Sequence, residues 1–479
     1  MYFLWTMPVA IVAILIASGR ATSVATGFCG LLTALVVALG AAPIKFALAD
    51  AILAIAQGAW LAILVAAVIF GGLFFREIVA AIAVVTAPTP IAPDMRRRQL
   101  YTACFLLGPF AEAATGYGVG QVTIAPILKR IGLSPADAVL FGLFSQMLVP
   151  WGASANGTIV GSQLAGVSST VLGTQSALLT LPLILAWLCL FWRFTSVAGL
   201  HGTAAAFISE MAFAVTAAGL LVLANYELGP EIAAMAALGP LIALRFAFEA
   251  KLDRDQWQAA IRAGLPYGAL IFGLAATRAI QPMNAFLERL VVQPFAQGSP
   301  WFPLLHPSSW LLFVGCLTAL AMGREGSIAV ALHRAWTEGK RSTYAIVLFL
   351  GMAQVMTSSG MATGLAEGIA NILGPLSPLA TPLLAGLFGF VTGSLSTTNG
   401  LLMPSQAALA VAAHVNATWL AAVQNVAGAA LTMLSPIRVA VGCALVDRRD
   451  LERRIYSRAW GLGAAPVLIL VLVTAILIV

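Results

Sequence analysis

Charged residues are scarce in this chain. Of its 479 residues only 9% are Asp, Glu, Lys or Arg, against about 25% in an average soluble domain. Hydrophobic residues make up 61%, and apolar runs fill the sequence from end to end. A soluble fold cannot accommodate so much apolar surface. The composition therefore predicts an all-α polytopic membrane protein in a lipid bilayer, with about 12 transmembrane helices and two re-entrant hairpins in an inverted repeat.

Clusters of metal-binding and catalytic residues are missing too. The five cysteines form no CxxC pair and the four histidines are far apart, so we predict no metal site and no bound cofactor. The HExxH and GxSxG patterns are also absent, and we predict that the protein is not an enzyme. The net charge of +7 comes from short basic clusters beside apolar runs, which indicates membrane topology rather than nucleic-acid binding.

Basic residues set the expected orientation. Three charged stretches, 249–262, 323–342 and 447–458, contain 12 of the 25 Lys and Arg, which places them in the cytoplasm. Both termini then lie outside. The N-terminal apolar run has no basic leader, so we interpret it as a retained helix rather than a cleaved signal peptide. The expected location is a bacterial cytoplasmic (inner) membrane.

Apolar runs predict the individual crossings. They cover residues 3–19, 21–42, 57–75, 135–153, 174–192, 203–224, 231–248, 264–280, 308–322, 343–358, 417–434 and 460–479. Two further apolar stretches, 98–130 and 381–413, are interrupted by AEAATGYGVG and SLSTTNG. Because broken helix is tolerated at membrane depth only inside protein or beside a wet cavity, we expect each stretch to form a re-entrant hairpin.

The two interrupted stretches occupy matching places. A shift of 282 residues pairs Thr115 with Thr397, and also pairs Ser134 with Asn416, which are both good N-caps. A short helix is expected before each hairpin, over 78–92 and 360–374. We predict a first repeat over 1–200, linking helices and a cytoplasmic loop over 201–262, and a second, inverted repeat over 263–479. Paired interruptions of this kind point to the binding site of a secondary transporter.

The motif GPFAEAATGYGVG, residues 108–120, resembles the GPFLEGATGFG-type motif of the L-lactate permease family. The likeness continues through IAPIL at 124–128, GLSP at 132–135, and the second interruption at 393–406. The resemblance implies proton-coupled uptake of lactate, glycolate and similar 2-hydroxy monocarboxylates. It also implies two re-entrant hairpins, often with an elevator motion, and favours a homodimer.

Glu112 is the residue most suited to proton coupling. A carboxylate at a helix break can bind a proton when it is desolvated and release it when water enters, because burial disfavours the charged form. The same carboxylate could instead cap the following half-helix or pair with an arginine. Both interpretations remain open from the sequence.

The two tips carry the candidate substrate-binding residues. Glycines allow close backbone approach, and half-helix N-termini favour anions, whereas hydroxyl and amide groups can bind a carboxylate and an α-hydroxyl or simply cap a helix. The candidates are Thr115, Gly116, Tyr117 and Gly118 at the first tip and Ser394, Ser396, Thr397, Thr398 and Asn399 at the second.

Two arginines and several amides complete the candidates. Arg278 could grip a substrate carboxylate or extend to the external interface, whereas Arg438 is expected to anchor a helix in the cytoplasm. Candidate cavity-lining residues, which could equally hold helices together, are Gln146, Trp151, Asn156, Gln406, Gln424 and Asn425.

Together these features predict an importer of a small organic anion by proton symport. Hydroxyl and carbonyl oxygens at the tips could also hold Na⁺, so a sodium-coupled carrier of the same architecture is the alternative.

Overall fold

Helices account for every regular element in the described part of the chain, as the composition predicts. The structure is a computed structural model that describes residues 2–18, 20–81, 93–116, 118–249, 254–296 and 299–478. The first part of the chain contains α1 (Tyr2–Ala17), α2 (Ser23–Ala41), α3 (Leu48–Ala80), α4 (Pro93–Tyr101), α5 (Gly108–Thr115), α6 (Val119–Ile131), α7 (Pro135–Gly142), α8 (Gly152–Ala165) and α9 (Ser169–Val197).

The rest of the chain is built in the same way. A middle group contains α10 (Ala204–Leu228), α11 (Pro230–Glu249), α12 (Arg254–Ala279) and α13 (Gln281–Leu287). The last part contains α14 (Pro307–Ala321), α15 (Gly326–Ser358), α16 (Met361–Leu373), α17 (Ala380–Thr392), α18 (Leu395–Ala412), α19 (Ala417–Thr432), α20 (Pro436–Leu445) and α21 (Glu452–Ile478).

All twelve predicted crossings fall on helices. Within the described ranges, nine helices are long and apolar enough to cross a membrane, or ten when one bent pair is counted as a span, while α1 and α14 are apolar but shorter. The chain is therefore an all-helical integral membrane protein, and the count of twelve stays a prediction. The predicted short helix at 360–374 is α16, whereas most of its partner at 78–92 lies outside the described residues.

Both interrupted stretches break where the sequence predicts. The first breaks at Gly116 and Gly118, and the second at Gly393, all three with positive φ angles. Ser134 caps α7 and Asn416 caps α19, as expected. The shift of 282 that relates these caps does not relate the tips, because α6 has 13 residues and α18 has 18. Gly116 therefore corresponds to Gly393, and the inverted relation of the halves stays a prediction.

The helices that follow the hairpins are broken as well, within or at the end of the predicted crossings 135–153 and 417–434. The segment Pro135–Gln146, which contains α7, is bent by 57° against Val149–Ala165, which contains α8, at a break directly before Val149 and Pro150. Helix α19 continues into α20 after a break at Met433–Ser435, with Pro436 in the first turn of α20. Proline cannot donate a helical hydrogen bond, and in both spans the chain resumes as helix beyond it.

Two groups of helices pack as separate units. The scaffold consists of α1, α2, α3, α14 and α15, in which α15 packs along α2 and α3. The hairpin unit consists of α5 to α9 and α16 to α20, in which α17 and α18 pack on α19, and α18 also packs on α8. The units meet where α15 contacts α18 and where α3 contacts α8.

A buried ion pair ties the arm of the first hairpin to α10. Arg97 donates from Nε and Nη2 to the two carboxylate oxygens of Glu210, at 2.9 and 2.8 Å. Trp192 Nε1–H donates to the same carboxylate at 2.7 Å, and Arg97 also donates to the carbonyl of Leu200. Both charged side chains are almost fully enclosed, so each depends on its partner to offset the cost of desolvation.

We predict that removing one partner of this pair destabilises the protein strongly. Glu210→Gln leaves the Arg97 guanidinium buried without its counter-charge, at a cost of about 3–5 kcal/mol. Thermal unfolding of the purified protein in detergent measures the change. The control is Arg448→Met, which breaks the exposed pair of Arg448 with Asp450 and should leave the melting temperature nearly unchanged. Equal shifts for the two variants would contradict the prediction.

Candidate functional site

A cavity of about 750 Å³ lies between the hairpin unit and the scaffold. Its wall includes the first tip at Gly118, the second tip at Ser394 and Thr397, and the start of α20 at Arg438. Helices α1, α2 and α15 form the opposite wall. We call this space the inner cavity, because the loop between α1 and α2 and the first turns of α20 border it and lie on the predicted cytoplasmic side. It is where the two predicted tips meet.

Glu112 is buried immediately behind this wall and is 1% exposed. Its Oε1 accepts hydrogen bonds from the Gly118 N–H at 3.1 Å and from Arg438 Nη1 at 2.8 Å. Its Oε2 accepts from the Gly120 N–H at 3.1 Å and from Gln146 Nε2 at 3.3 Å. The carboxylate thus occupies the N-terminus of α6, where partial positive charge gathers, and forms an ion pair with an arginine of the other half of the chain.

The first tip has this shape because only glycine fits there. Gly116 has φ 74° and ψ −164°, a backbone region open almost only to glycine. A Cβ atom at Gly116 would also lie 2.7 Å from the Cβ of Ala153. Ala153, Ser154 and Ala155 themselves have φ between 49° and 59°, a strained turn for residues other than glycine. The two breaks therefore press against each other beside Glu112.

Arg438 is the residue whose predicted role changes most. Anchoring in the cytoplasm was expected, but the guanidinium lies in the cavity wall and bonds to Glu112. Among the described residues that line the inner cavity, Arg438 is the only charged one. One of its nitrogens binds Glu112, and a guanidinium carries five N–H donors. Arg438 can therefore bind a carboxylate in the cavity through its remaining N–H groups while Glu112 stays next to it.

The second tip places two of its five predicted residues in the cavity. Ser394 caps α18 by accepting from the Thr397 N–H, and Thr397 Oγ1–H donates to the Ser394 hydroxyl at 3.1 Å. Both line the cavity with Thr392. Thr398 is fully buried and bonds within the turn, to the Ser394 carbonyl and to Thr392. Ser396 is half-buried and is not among the lining residues.

A second cavity of about 410 Å³ lies on the predicted external side. Arg278 lines this outer cavity, 3.8 Å from Glu231 and with bonds to the carbonyls of Leu274 and Leu305. The structure therefore does not bring Arg278 to the tips, and its role as a substrate contact stays a prediction. Burial, with the nearby Arg278 charge, lowers the pKa of His306 in the same cavity to about 4.

Comparisons with known proteins point to one family. Residues 301–479 match the family model described as L-lactate permease. The L-lactate permease of Salmonella typhimurium is 24% identical over 407 residues, covering 74% of this chain and 73% of the relative. That of Escherichia coli is 25% identical over 412 residues, with the same coverage. The chain is thus similar to L-lactate permeases over about three quarters of its length. These relatives indicate a transporter rather than an enzyme.

Two further likenesses complete the comparison. The glycolate permease GlcA of Escherichia coli is 23% identical to this permease over 427 residues, covering 76% of this chain and 75% of the relative. A crystal structure of the Alcanivorax borkumensis YdaH transporter aligns with 95% of this chain and 86% of its own, with a TM-score of 0.44 and 16% identity.

Most of the permease's predicted cavity amides lie inside the hairpin unit instead. Only Asn156 lines a cavity, the outer one, where its amide also donates to the Val65 carbonyl at 3.2 Å. The other five candidates lie among side chains of the hairpin unit, which agrees with the alternative that they hold helices together, and a cavity-lining role for them stays a prediction. Gln146 bonds to Glu112, Trp151 to Asn225, and Gln406 to Thr381. Gln424 is fully buried in α19.

Asn399 and Asn425 join the two halves of the permease. Asn399 Nδ2 donates to the Gly157 carbonyl and to Asn425 Oδ1, both at 2.9 Å. Asn425 Nδ2 in turn donates to the hydroxyls of Thr158 and Ser176, both at 3.0 Å. Asn399 is fully buried, so its predicted substrate contact is replaced by a bond between α18 and α8.

Two predicted residues of the first tip also stay out of the cavity. Thr115 is 1% exposed and donates to the Ala111 carbonyl, and Gly116 packs on Ala153. Tyr117 lies outside the described residues. Sequence reasoning missed the polar lining residues Ser23, Thr26, Gln121, Ser342 and Thr392. Thr26 and Gln121 are buried, and their polar side-chain atoms have no partner among the described residues. A threonine or glutamine inside an apolar run gives no signal that separates it from a helix-packing residue.

We predict that Gly116→Ala destabilises the permease more than Gly166→Ala. Both glycines end a helix with positive φ, but a Cβ at Gly166 would meet nothing within 4 Å. Alanine at Gly116 suffers both backbone strain and the clash with Ala153, for which overpacking costs of about 1–3 kcal/mol are typical. Thermal unfolding of the two purified variants compares them. A larger loss of melting temperature for Gly166→Ala would contradict the description of this tip.

Proposed function

We propose that this permease imports a small monocarboxylate, such as L-lactate or glycolate, by proton symport across a bacterial inner membrane. The names of its relatives support the substrate class. The inner cavity supports it chemically, because one arginine and the hydroxyls of Ser394 and Thr397 border a space that is also lined by apolar residues such as Phe349 and Phe390. A short acid with one carboxylate, a hydroxyl and a small apolar end complements such a cavity.

The observation that carries the proposal is the buried pair of Glu112 and Arg438 at this wall. Charge is costly at membrane depth, and the pair is neutral as a whole. A substrate anion bound at Arg438 would give the site one excess negative charge. Protonation of Glu112 restores neutrality, so a site loaded with one anion and one proton moves at lower cost than a site loaded with the anion alone.

Two cavities on opposite sides support an elevator motion. The inner cavity lies between the tips and helices α2 and α15, and the outer cavity is lined by α3 and α8 beside their contact. Both therefore lie between the hairpin unit and the scaffold. Sliding the hairpin unit past the scaffold would close one cavity and open the other, which is how hairpin-based repeats alternate access.

Uptake into proteoliposomes tests this function. A gradient of one pH unit supplies about 1.4 kcal/mol per proton, so one-proton symport concentrates L-lactate about tenfold in the alkaline lumen. Glu112→Gln, which cannot ionise, should still exchange labelled for unlabelled lactate but should accumulate none above equilibrium. The control is His306→Gln. Because the lowered pKa keeps His306 neutral above pH 5, its replacement should leave the pH dependence of uptake unchanged.

Three outcomes would contradict the proposal. Accumulation of lactate by Glu112→Gln under the proton gradient would remove Glu112 from coupling. Replacement of Na⁺ by choline at fixed pH should have no effect, and loss of wild-type uptake in choline would favour the sodium-coupled alternative. Failure of wild-type protein to transport any short 2-hydroxy acid would reject the substrate class.

A further inference from the structure

The four hydrogen-bond donors around Glu112 differ in whether they can move and whether a substrate can reach them. Two are backbone N–H groups of Gly118 and Gly120, which are fixed by the start of α6. The third is Arg438, which is 11% exposed and lines the inner cavity. The fourth is the amide of Gln146. A substrate can therefore reach Arg438 directly. Gly118 also lines the cavity, but its N–H points at Glu112, and neither Gly120 nor Gln146 is among the lining residues.

Gln146 has an unusual contact pattern. Its Nε2 donates to Glu112 Oε2 at 3.3 Å and to the Ser145 hydroxyl at 3.0 Å. Its Oε1 is buried and has no hydrogen-bond partner among the described residues. Leaving a buried acceptor unpaired is unfavourable. An amide offers an acceptor as well as donors, and turning it by half a revolution exchanges the two.

A protonated Glu112 needs a hydrogen-bond acceptor, and the unpaired Oε1 of Gln146 is one. The ionised carboxylate only accepts hydrogen bonds, and all four of its contacts are donors. A carboxylic acid has one O–H to donate, and it would face N–H groups and a guanidinium. Gln146 Oε1 is the acceptor that one turn of a neighbouring side chain brings to Oε2.

We propose that Glu112 exchanges partners when substrate binds. The substrate carboxylate takes Arg438 from Glu112, a proton from water bonds to Glu112 Oε2, and Gln146 turns so that its Oε1 accepts the new O–H. This inference rests on the proposed function and adds a coupling device to it. Gln146 is a positioning residue that acts through Glu112.

The exchange balances in charge and in atoms. The empty site contains one anion, Glu112, and one cation, Arg438. The loaded site contains the substrate anion, Arg438 and a neutral Glu112. A lone pair of Oε2 forms the O–H bond on one side of the membrane, and the same bond breaks on the other side, releasing the proton to water. Transport of one anion with one proton is electroneutral, and no other reactant is needed.

The test measures how lactate counterflow depends on pH in proteoliposomes. Gln146→Met keeps the length of the side chain but cannot accept the O–H of a protonated Glu112. Ionised Glu112 loses the 3.3 Å bond from Gln146 Nε2 but keeps three donors, Gly118, Gly120 and Arg438, whereas the protonated acid is left without an acceptor. Protonation becomes harder, so the midpoint of the pH profile should move about one unit lower. The matched control is Gln424→Met, at a buried glutamine whose amide has no partner among the described residues, and it should leave the midpoint in place.

The outcomes separate this inference from the proposed function. An unchanged midpoint in a folded Gln146→Met variant, with proton-driven accumulation intact in the wild type, overturns the inference and leaves the function standing. If Gln146→Met does not fold, infrared difference spectra of the wild type replace it. Lactate binding should then produce the carbonyl band of a protonated carboxyl group that is absent from Glu112→Gln, and absence of that band from the wild type overturns the exchange.

Discussion

The contact between Glu112 and Arg438 is the interaction on which the rest of the site depends. It joins the last turn of α5 to the first turn of α20, 326 residues further along the chain. A buried charge is stable only with a partner and with its remaining hydrogen bonds satisfied, and Glu112 has both. The glycine breaks at Gly116 and Gly118 let α6 begin beside the carboxylate, and the break before Pro436 lets α20 begin beside the arginine. Each helix break thus positions one side chain of this pair.

Around the pair, the contacts that hold the helices together are distinct from the side chains that a ligand can reach. Asn399 and Asn425 bind the second hairpin to α8, and the pair of Arg97 with Glu210 binds the arm of the first hairpin to α10. These contacts are buried, and Asn399 Oδ1 is the acceptor among them that has no partner in the described part of the chain. The inner cavity, by contrast, is bordered by side chains with hydrogen-bonding capacity left over, including Arg438, Gln121 and Thr26. A transporter needs this division, because the substrate must be bound without loosening the unit that carries it.

Much of the fold could be predicted from the sequence, since apolar runs, caps and glycine breaks are local signals. The helices on which the predicted crossings fall, the N-caps Ser134 and Asn416, and both tips are of this kind. The correspondence of Thr115 with Thr397 failed because α18 is five residues longer than α6, which no local signal reveals. The partner of Glu112 could be foreseen as an arginine, but not as Arg438, because Ser-Pro-x-Arg looks the same whether the arginine anchors a helix or turns inward. The positions of the buried amides could not be foreseen for a similar reason: glutamine in an apolar run is compatible with a cavity and with a helix contact, and only packing decides.

The central claim is that the substrate anion and a proton are bound together because they share Arg438 and Glu112. Its most direct test counts protons when L-lactate binds to the purified permease in weakly buffered detergent solution containing a pH-indicator dye. The account predicts uptake of about one proton per lactate bound by the wild type and none by Glu112→Gln. Lactate binding to the wild type without proton uptake, across the pH range in which the permease transports, would contradict it.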